Sequence, residues 1–366
     1  MSKTNRRVAT AIIGVLLVAV LYVLVSERRL VELDSGHRLV MGTFARVVVV
    51  TPDRNTANRC IEAALAEIHK VDELMSDYKS DSEISEVNRE GFKRAVEVSE
   101  STYQVLKKSV EISKLTDGAF DITVGPLVDL LRWAEKKDVT PGEDEIAQAK
   151  AKVGFEKLIL DEKNRTARFA IDGMRLDLGG IAKGYAVDKA IEAMQKAGAI
   201  GGMVDIGGDI RCFGKPAGGK KRWLIGLQDP NEPEELIAAP RPLLVLKLAD
   251  AAVATSGGYR RFVLINGKKY SHIIDRKTGT STEDLSSVTI IANNATNADA
   301  LATAVSVMGV EKGLALIEKL PETEAILIPA PRLRGDKFTP AEAGAGMTKQ
   351  PNYELIKTSG AEKYIK

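Results

Sequence analysis

Polar and apolar positions along the chain keep two rhythms, one of period two and one near 3.6, and the changes between them predict its elements. HRLVMGTFARVVVVT, His37 to Thr51, alternates and then runs apolar, as strands do. Ile61, Leu65, Ile68 and Val71 recur at helical spacing, which predicts a helix over Asn55 to Leu74. The polar stretch from Met75 to Asn88 predicts a loop and a short helix capped by Asp81 or Ser82. Val105, Leu106, Val110 and Ile112 form the buried face of a helix from Ser99 to Thr116, ended by the Asp117-Gly118 turn. Ala119 to Leu127 reads as a short strand entering a Gly-Pro turn, and Pro141 to Lys152 as a small helix in a polar insertion. LILD and RTARFAI, between Phe155 and Asp172, read as two strands joined at Lys163-Asn164.

Met174 to Leu178 reads as a buried strand broken by Gly179-Gly180, then a helix from Ile181 to Lys196 with Tyr185, Ala186, Ile191 and Met194 on its apolar face. Gly202 to Phe213 predicts a strand with a second Gly-Gly break, and Trp223–Gln228 and Leu243–Leu248 are strands flanking a proline-rich link. Asn266-Gly267 is a strong hairpin signal. Tyr270 to Ile274 reads as a strand, Val288 to Ala292 as another, and Asn297 to Met308 as a helix capped by Thr296 or Asn297. AILIPA is the last clear strand, with a closing one at Tyr353–Lys357. Strands come in pairs with helices inserted between them, which predicts an α+β fold with largely antiparallel sheets rather than a doubly wound parallel one.

With 366 residues, 44% of them hydrophobic and 28% charged, the chain can bury a large core. A net charge of +2, with no basic stripe interleaved with aromatics, points away from nucleic acid. Cys60 and Cys212 lack C-x-x-C spacing and read as buried thiols; a pairing between them does not follow from sequence. Lys3, Arg6 and Arg7 precede an uncharged run from Val8 to Val25, long for a signal-peptide core and just sufficient to span a bilayer. No small-x-small cleavage signal follows it, and no cysteine for lipid attachment stands at its end. Residues 1–30 therefore read as an uncleaved signal anchor and 31–366 as an exported domain. A cleaved signal peptide is the alternative, and both put the domain outside the cytoplasm.

Candidate chemistry gathers at a few places. RLDLGGIAKGYAVDKA, Arg175 to Ala190, has two glycines before a helix, where free N–H groups and the dipole favour an anion. Glycine turns of this kind also occur with no ligand, but Lys183 in the first helical turn opposes the dipole and makes sense beside an anion. The stretch matches neither a dinucleotide fingerprint nor a P-loop. Asp299 and Thr303, one helical turn apart, offer hard oxygens suited to Mg²⁺, although an acid in a first turn also serves the dipole alone. His272 with Asp275 three residues on is either a half-buried strand histidine or an acid–base group. Asp121 beside Thr123 holds a ligand hydroxyl or caps a turn; Thr255 to Gly258 has the composition of an anion nest. His37 and His69 read as surface residues.

Taken in order, MGT at Met41, MSDYKSDSEISEVN at Met75, AFDITVGPL at Ala119, LDLGGIAKGYAVD at Leu176, VDIGGDI at Val204, VATSGGYRR at Val253, YSHIIDRKTG at Tyr270 and TNADALATA at Thr296 resemble the ApbE family. This is the family of FAD:protein FMN transferases, formerly called thiamine-biosynthesis lipoproteins. The resemblance spans Leu39 to about Leu316. It implies a two-lobed α+β fold with FAD in a cleft between the lobes. Met41, Tyr78, Ala119, Phe120 and Asp121 would line that cleft, and Asp177 and Lys183 would contact FAD. The Gly180 carbonyl, Asp299 and Thr303 would hold Mg²⁺, and His272 would lie by the flavin pyrophosphate, with His272 or Asp275 as the base.

The implied reaction moves FMN from FAD to a threonine of an exported or membrane-bound redox protein, such as an NQR- or RNF-type subunit, and releases AMP. FAD pyrophosphatase activity, with water as acceptor, and a non-enzymatic periplasmic FAD-binding protein are the alternatives. The implied location is the periplasmic face of the inner membrane. Three features depart from the pattern. Many relatives carry proline where Arg276 follows Asp275, a polar residue where Gly258 stands, and a lipoprotein cysteine that is missing here.

Overall fold

The computed structural model describes residues 30–230, 242–258, 262–330 and 355–366, with Gly14 alone upstream. The expected anchor, most of the proline-rich link and the first two residues of the expected closing strand lie outside the described residues.

The main sheet is nine-stranded, its strands numbered here along the chain. They are β1 (Val31–Asp34), β2 (Arg38–Val40), β3 (Thr43–Thr51), β4 (Gly201–Ile206), β5 (Asp209–Phe213), β6 (Ala251–Ser256), β7 (Leu285–Ala292), β8 (Glu324–Pro329) and β9 (Ile356–Lys357). Their order is β1-β3-β4-β5-β6-β7-β8-β9, with β2 also on β3, and each pairing is antiparallel. The helices are α1 (Arg54–Met75), α2 (Glu83–Glu90), α3 (Glu100–Leu115), α4 (Gly125–Lys137), α5 (Glu143–Ala151), α6 (Ala182–Lys196) and α7 (Ala295–Ile317). The α+β reading with antiparallel pairing holds.

The valine run of β3 shows how the layers form. Side chains alternate across a strand, so Val47 and Val49 enter the core shared with α1 and α6, while Val48 and Val50 enter a second core on the other face. That second core is closed by a two-stranded sheet, Trp223–Leu227 against Leu244–Leu248. The strand is apolar throughout because both its faces are covered. Helix α7 is long and apolar enough to cross a bilayer, yet it packs Ala298, Leu301, Ala302 and Val305 against Ala254, Val288 and Ile290 of the sheet. It leaves helical geometry at Gly309 (φ 74°), one residue past the expected end at Met308, then resumes.

Local expectations hold where short-range chemistry decides. Ser82 caps α2, accepting from the Ser85 N–H, and Asn266 and Gly267 take φ of 50° and 73°, as a tight hairpin turn needs. Helix α1 buries Ala57, Cys60, Ala64, Ile68 and Val71, with Ile61 and Leu65 at the edge, and Val110 of α3 is likewise only half buried. Both cysteines are free, buried thiols, and burial pushes Cys212 up to about 12.

Other expectations fail for identifiable reasons. Met174–Leu178 is not a strand: a single bridge joins Arg175 to Val124, and the Asn88 side chain takes the place of a strand partner, donating to the Leu176 carbonyl at 3.1 Å and accepting its N–H at 2.7 Å. Ala119–Leu127 is not a strand either; Asp121 turns the chain through Thr123, and Gly125-Pro126 opens α4, proline being welcome in a first helical turn. Gly202–Phe213 is a hairpin, β4 and β5, turned at Gly207-Gly208. The strand expected over Tyr270–Ile274 breaks at exposed His272, which falls between Lys268–Ser271 and Ile274–Asp275. Helix α7 is capped by Asn294, not by Thr296 or Asn297.

Candidate active site

A joint between two helix N-termini makes the site. The first N–H groups of a helix have no partner within it. In α7 these are met by Asn294, which accepts from Asn297, and by Asp188 of α6, which accepts from Ala295 N (2.9 Å), Thr296 N (2.9 Å) and the Thr296 hydroxyl (2.5 Å). Arg211 of β5 pairs with the same buried carboxylate at 2.7 Å. Asp188 thus pins the start of α7 across α6. Glycine makes the crossing close: a Cβ on Gly184 would strike the Ala295 carbonyl, and one on Gly180 would lie 2.9 Å from Thr303 Oγ1. Asp299 and Thr303 are thereby brought onto the Gly179-Gly180 turn and the first turn of α6.

Charge is concentrated there. Asp299 (3% exposed) accepts from the Gly184 N–H at 3.0 Å, and Asp209 (2% exposed) comes from the β4–β5 turn. Lys183 reaches both carboxylates, contacting Asp209 directly and Asp299 at 3.5 Å. Burial, then the Asp299 charge, raises Asp209 to about 7 against the pull of Lys183. Asp177 accepts from the Gly179 N–H at 2.8 Å; burial and then Asp77 push its carboxyl up, against that N–H, Arg132 and Arg175.

Asp177, Lys183 and Asp299 line a cleft of about 1020 Å³, which Asp209 does not itself border. Tyr78, Ala119, Phe120, Asp121, Asp177, Gly180, Lys183, His272, Asp299 and Thr303 all border it, as do Thr255, Ser256 and Gly257. Tyr78 stands 80% exposed on one wall and is held by Arg132, which donates to its hydroxyl at 2.8 Å and lies 4.8 Å from its ring centre. Arg132 and Arg175 are themselves anchored on Asp77, at 3.2 and 3.0 Å.

The ApbE family model matches residues 41–327. The chain belongs to the ApbE family. It is 33% identical to the FAD:protein FMN transferase of Haemophilus influenzae, covering 84% of this chain and 89% of that protein. It is 32% identical to the protein of the same name in Treponema pallidum, over 82% and 86%. The crystal structure of the ApbE protein of Thermotoga maritima superposes with a TM-score of 0.76 at 30% identity, covering 92% of this chain and 99% of that one. The flavin transferase ApbE of Vibrio cholerae gives 0.72 at 28% identity, over the same shares.

Of the residues the ApbE resemblance singled out, two stand outside the cleft. Met41 does not border it; at φ 51° it directs its side chain against the main core and leaves Gly42, Thr43 and Phe44 on the wall. Asp275 does not border it either, and its carboxylate accepts the Lys277 N–H at 2.8 Å. Asp121 borders the cleft, but its oxygens are committed to Thr123, the Phe155 N–H and Arg276. His37 is exposed, as expected, yet lies on the cleft wall, edge-on to Phe44. Sequence reading missed Asp209 as a site residue, although VDIGGDI places it directly after a Gly-Gly turn, and missed Asp188, whose partners in α7 lie more than a hundred positions away.

The site suits a hard divalent cation. Two buried carboxylates, Asp209 and Asp299, share one lysine, the Thr303 hydroxyl abuts the Gly180 backbone, and the donors are all oxygens. Among the described residues no group of three or more His, Cys, Asp and Glu side chains converges for a metal, so protein ligands would be few. That is the pattern Mg²⁺ tolerates when substrate phosphates complete its shell.

Proposed function

We propose that this protein transfers FMN from FAD to a threonine hydroxyl of an acceptor protein, with Mg²⁺ required and AMP released. The observation that carries the reading is the meeting of Asp299 and Thr303 with the Gly180 turn and Lys183, inside a cleft of about 1020 Å³. The names of its relatives support the coarser part of it, FMN transfer from FAD to a protein.

Asp299, Thr303 and the Gly180 carbonyl would hold Mg²⁺, which neutralises pyrophosphate charge when bound. Lys183 supplies a second positive charge at the same place, and the N–H groups of the glycine turn favour the anion. Tyr78 on its Arg132 support gives flat surface for a ring of FAD. His272, exposed on the cleft wall, takes the proton of the acceptor threonine as its oxygen attacks the FMN phosphorus; the bond to the AMP phosphate breaks, and AMP leaves as an anion. Asp275 is held in its own turn and has no part in this step. The acceptor is an exported redox protein, and the enzyme works on the periplasmic face of the inner membrane, tethered by its first thirty residues.

The test is to incubate the enzyme with FAD, Mg²⁺ and a candidate acceptor and to measure acceptor mass and AMP. An FMN adduct on threonine with equal AMP supports the reading. Free FMN and AMP beside an unmodified acceptor make the protein a pyrophosphatase, and intact FAD makes it a binding protein.

A further inference from the structure

The short hairpin Ile274–Asp275/Thr280–Ser281 follows directly on His272, and Arg276 stands at its tip. Arg276 Nη1 donates to Asp121 Oδ2 at 2.9 Å and to Glu156 Oε2 at 3.1 Å, while Nη2 donates to Glu156 Oε1 at 3.0 Å. The guanidinium lies 5.1 Å from the centre of the Phe155 ring, and the side chain is only 17% exposed. Gly118 makes room for it: this glycine sits at φ +73°, and a Cβ there would collide with the guanidinium. The neighbouring pair of Lys277 with Asp117, at 2.7 Å, is solvent-exposed and contributes little.

Asp121 is the receiving end, and it borders the cleft. One of its oxygens takes the Thr123 N–H (2.8 Å) and hydroxyl (2.7 Å), the other the Phe155 N–H (3.0 Å) and Arg276. Burial pushes this carboxyl up, and Thr123 and Arg276 work against that. The turn so fixed holds the buried Phe120, whose ring edge would come within 3.4 Å of a Cβ on Gly180. Ile274 also packs on Leu127, Ala149 and Val153, which brings the hairpin near but is non-directional. The forked ion pair is what sets orientation.

We propose that Arg276 is a positioning residue: by locking the His272 hairpin onto Asp121 and Glu156, it fixes His272 relative to the Asp121 turn that borders the cleft. The proposal rests on that cleft being the FAD site.

The test uses the full chain and four variants, Arg276→Met, Arg276→Lys, Asp121→Asn and the Met/Asn double variant. For each, FAD affinity is measured by flavin fluorescence, FMN transfer by single turnover at saturating FAD, and Tm by thermal melting. Arg276→Met should weaken FAD binding and slow transfer, each by roughly tenfold or more, the scale on which misplaced cleft groups are felt. Lysine should recover only part, because it cannot fork between two carboxylates. The double variant should lose less than the sum of the two single losses, since both changes break the same ion pair. A lower Tm with affinity and rate of the folded protein unchanged would overturn the proposal, as would independent, additive effects at the two positions. Wild-type protein that binds no FAD would overturn the functional reading, and the proposal with it.

Discussion

Replacing Asp188 by asparagine tests the joint on which the site is built. The carboxylate accepts two backbone N–H groups and a hydroxyl from the first turn of α7 and faces Arg211 at 2.7 Å. An amide keeps one oxygen but turns an NH₂ group towards donors on the other side. Each hydrogen bond to a charged group contributes about 1.5–3 kcal/mol, and breaking a buried pair typically costs about 3–5 kcal/mol. Arg211 retains 27% side-chain exposure, so its loss is partly met by water, and the expected destabilisation is about 3 kcal/mol. Urea unfolding followed by tryptophan emission measures it; Trp223 is buried in the core on the far side of the sheet and reports global unfolding. The first turn of α7 carries Asp299 towards Gly180, so Mg²⁺ affinity should fall with stability. A loss below about 1 kcal/mol, the usual worth of a single hydrogen bond, with Mg²⁺ affinity unchanged would refute this view of the joint.

Asp299→Ala should abolish Mg²⁺-dependent turnover while the protein stays folded, and Thr303→Ala should be milder, because water can replace a neutral oxygen; a full rate for the first at saturating Mg²⁺, or a worse defect for the second, contradicts the ligand assignment. His272→Ala should bind FAD nearly unchanged but transfer FMN slower by ~10²–10⁴-fold, the usual contribution of a general base. It should also flatten the pH dependence of the transfer rate; lost FAD affinity with an intact pH profile would make His272 a binding residue. In metal-free protein, Asp209 is raised from 3.8 to about 7, so the folded state holds that proton more tightly than the unfolded chain does. The resulting stability is complete below 3.8 and declines as pH rises through about 7. Asp209→Asn should flatten this slope in urea unfolding across that range, and an identical slope in both proteins would show that the group does not titrate there.

Much of the fold was legible because it follows from short-range chemistry. The asparagine-glycine hairpin, the Ser82 cap and the antiparallel α+β class each depend on a few adjacent residues. Two of the errors share one cause, tertiary partners that periodicity does not register. Asn88 stands in for a strand beside Leu176, and Asp121 folds the 119–124 segment into a turn by reaching Phe155 and Arg276. At the site, the glycine turn, Lys183, Asp299 and Thr303 could be picked out because their residue types sit oddly for stability alone. Asp188 and Asp209 could not: an acid within a helix or at a hairpin turn is unremarked until its distant partners are known. Arg276, noted only as a departure from the family pattern, proves to tie the hairpin after His272 to Asp121 and Glu156.

The central claim is that one cleft brings the FAD pyrophosphate and a divalent cation together on Asp299 and Thr303. Phosphorus-31 resonances of FAD bound to the full chain, recorded with Mn²⁺ in place of Mg²⁺, test it most directly. The expected result is strong paramagnetic broadening of both phosphorus signals in the wild type and its loss in Asp299→Ala at unchanged FAD occupancy. Broadening of equal size in both proteins, or none in the wild type with FAD and Mn²⁺ both bound, would contradict it.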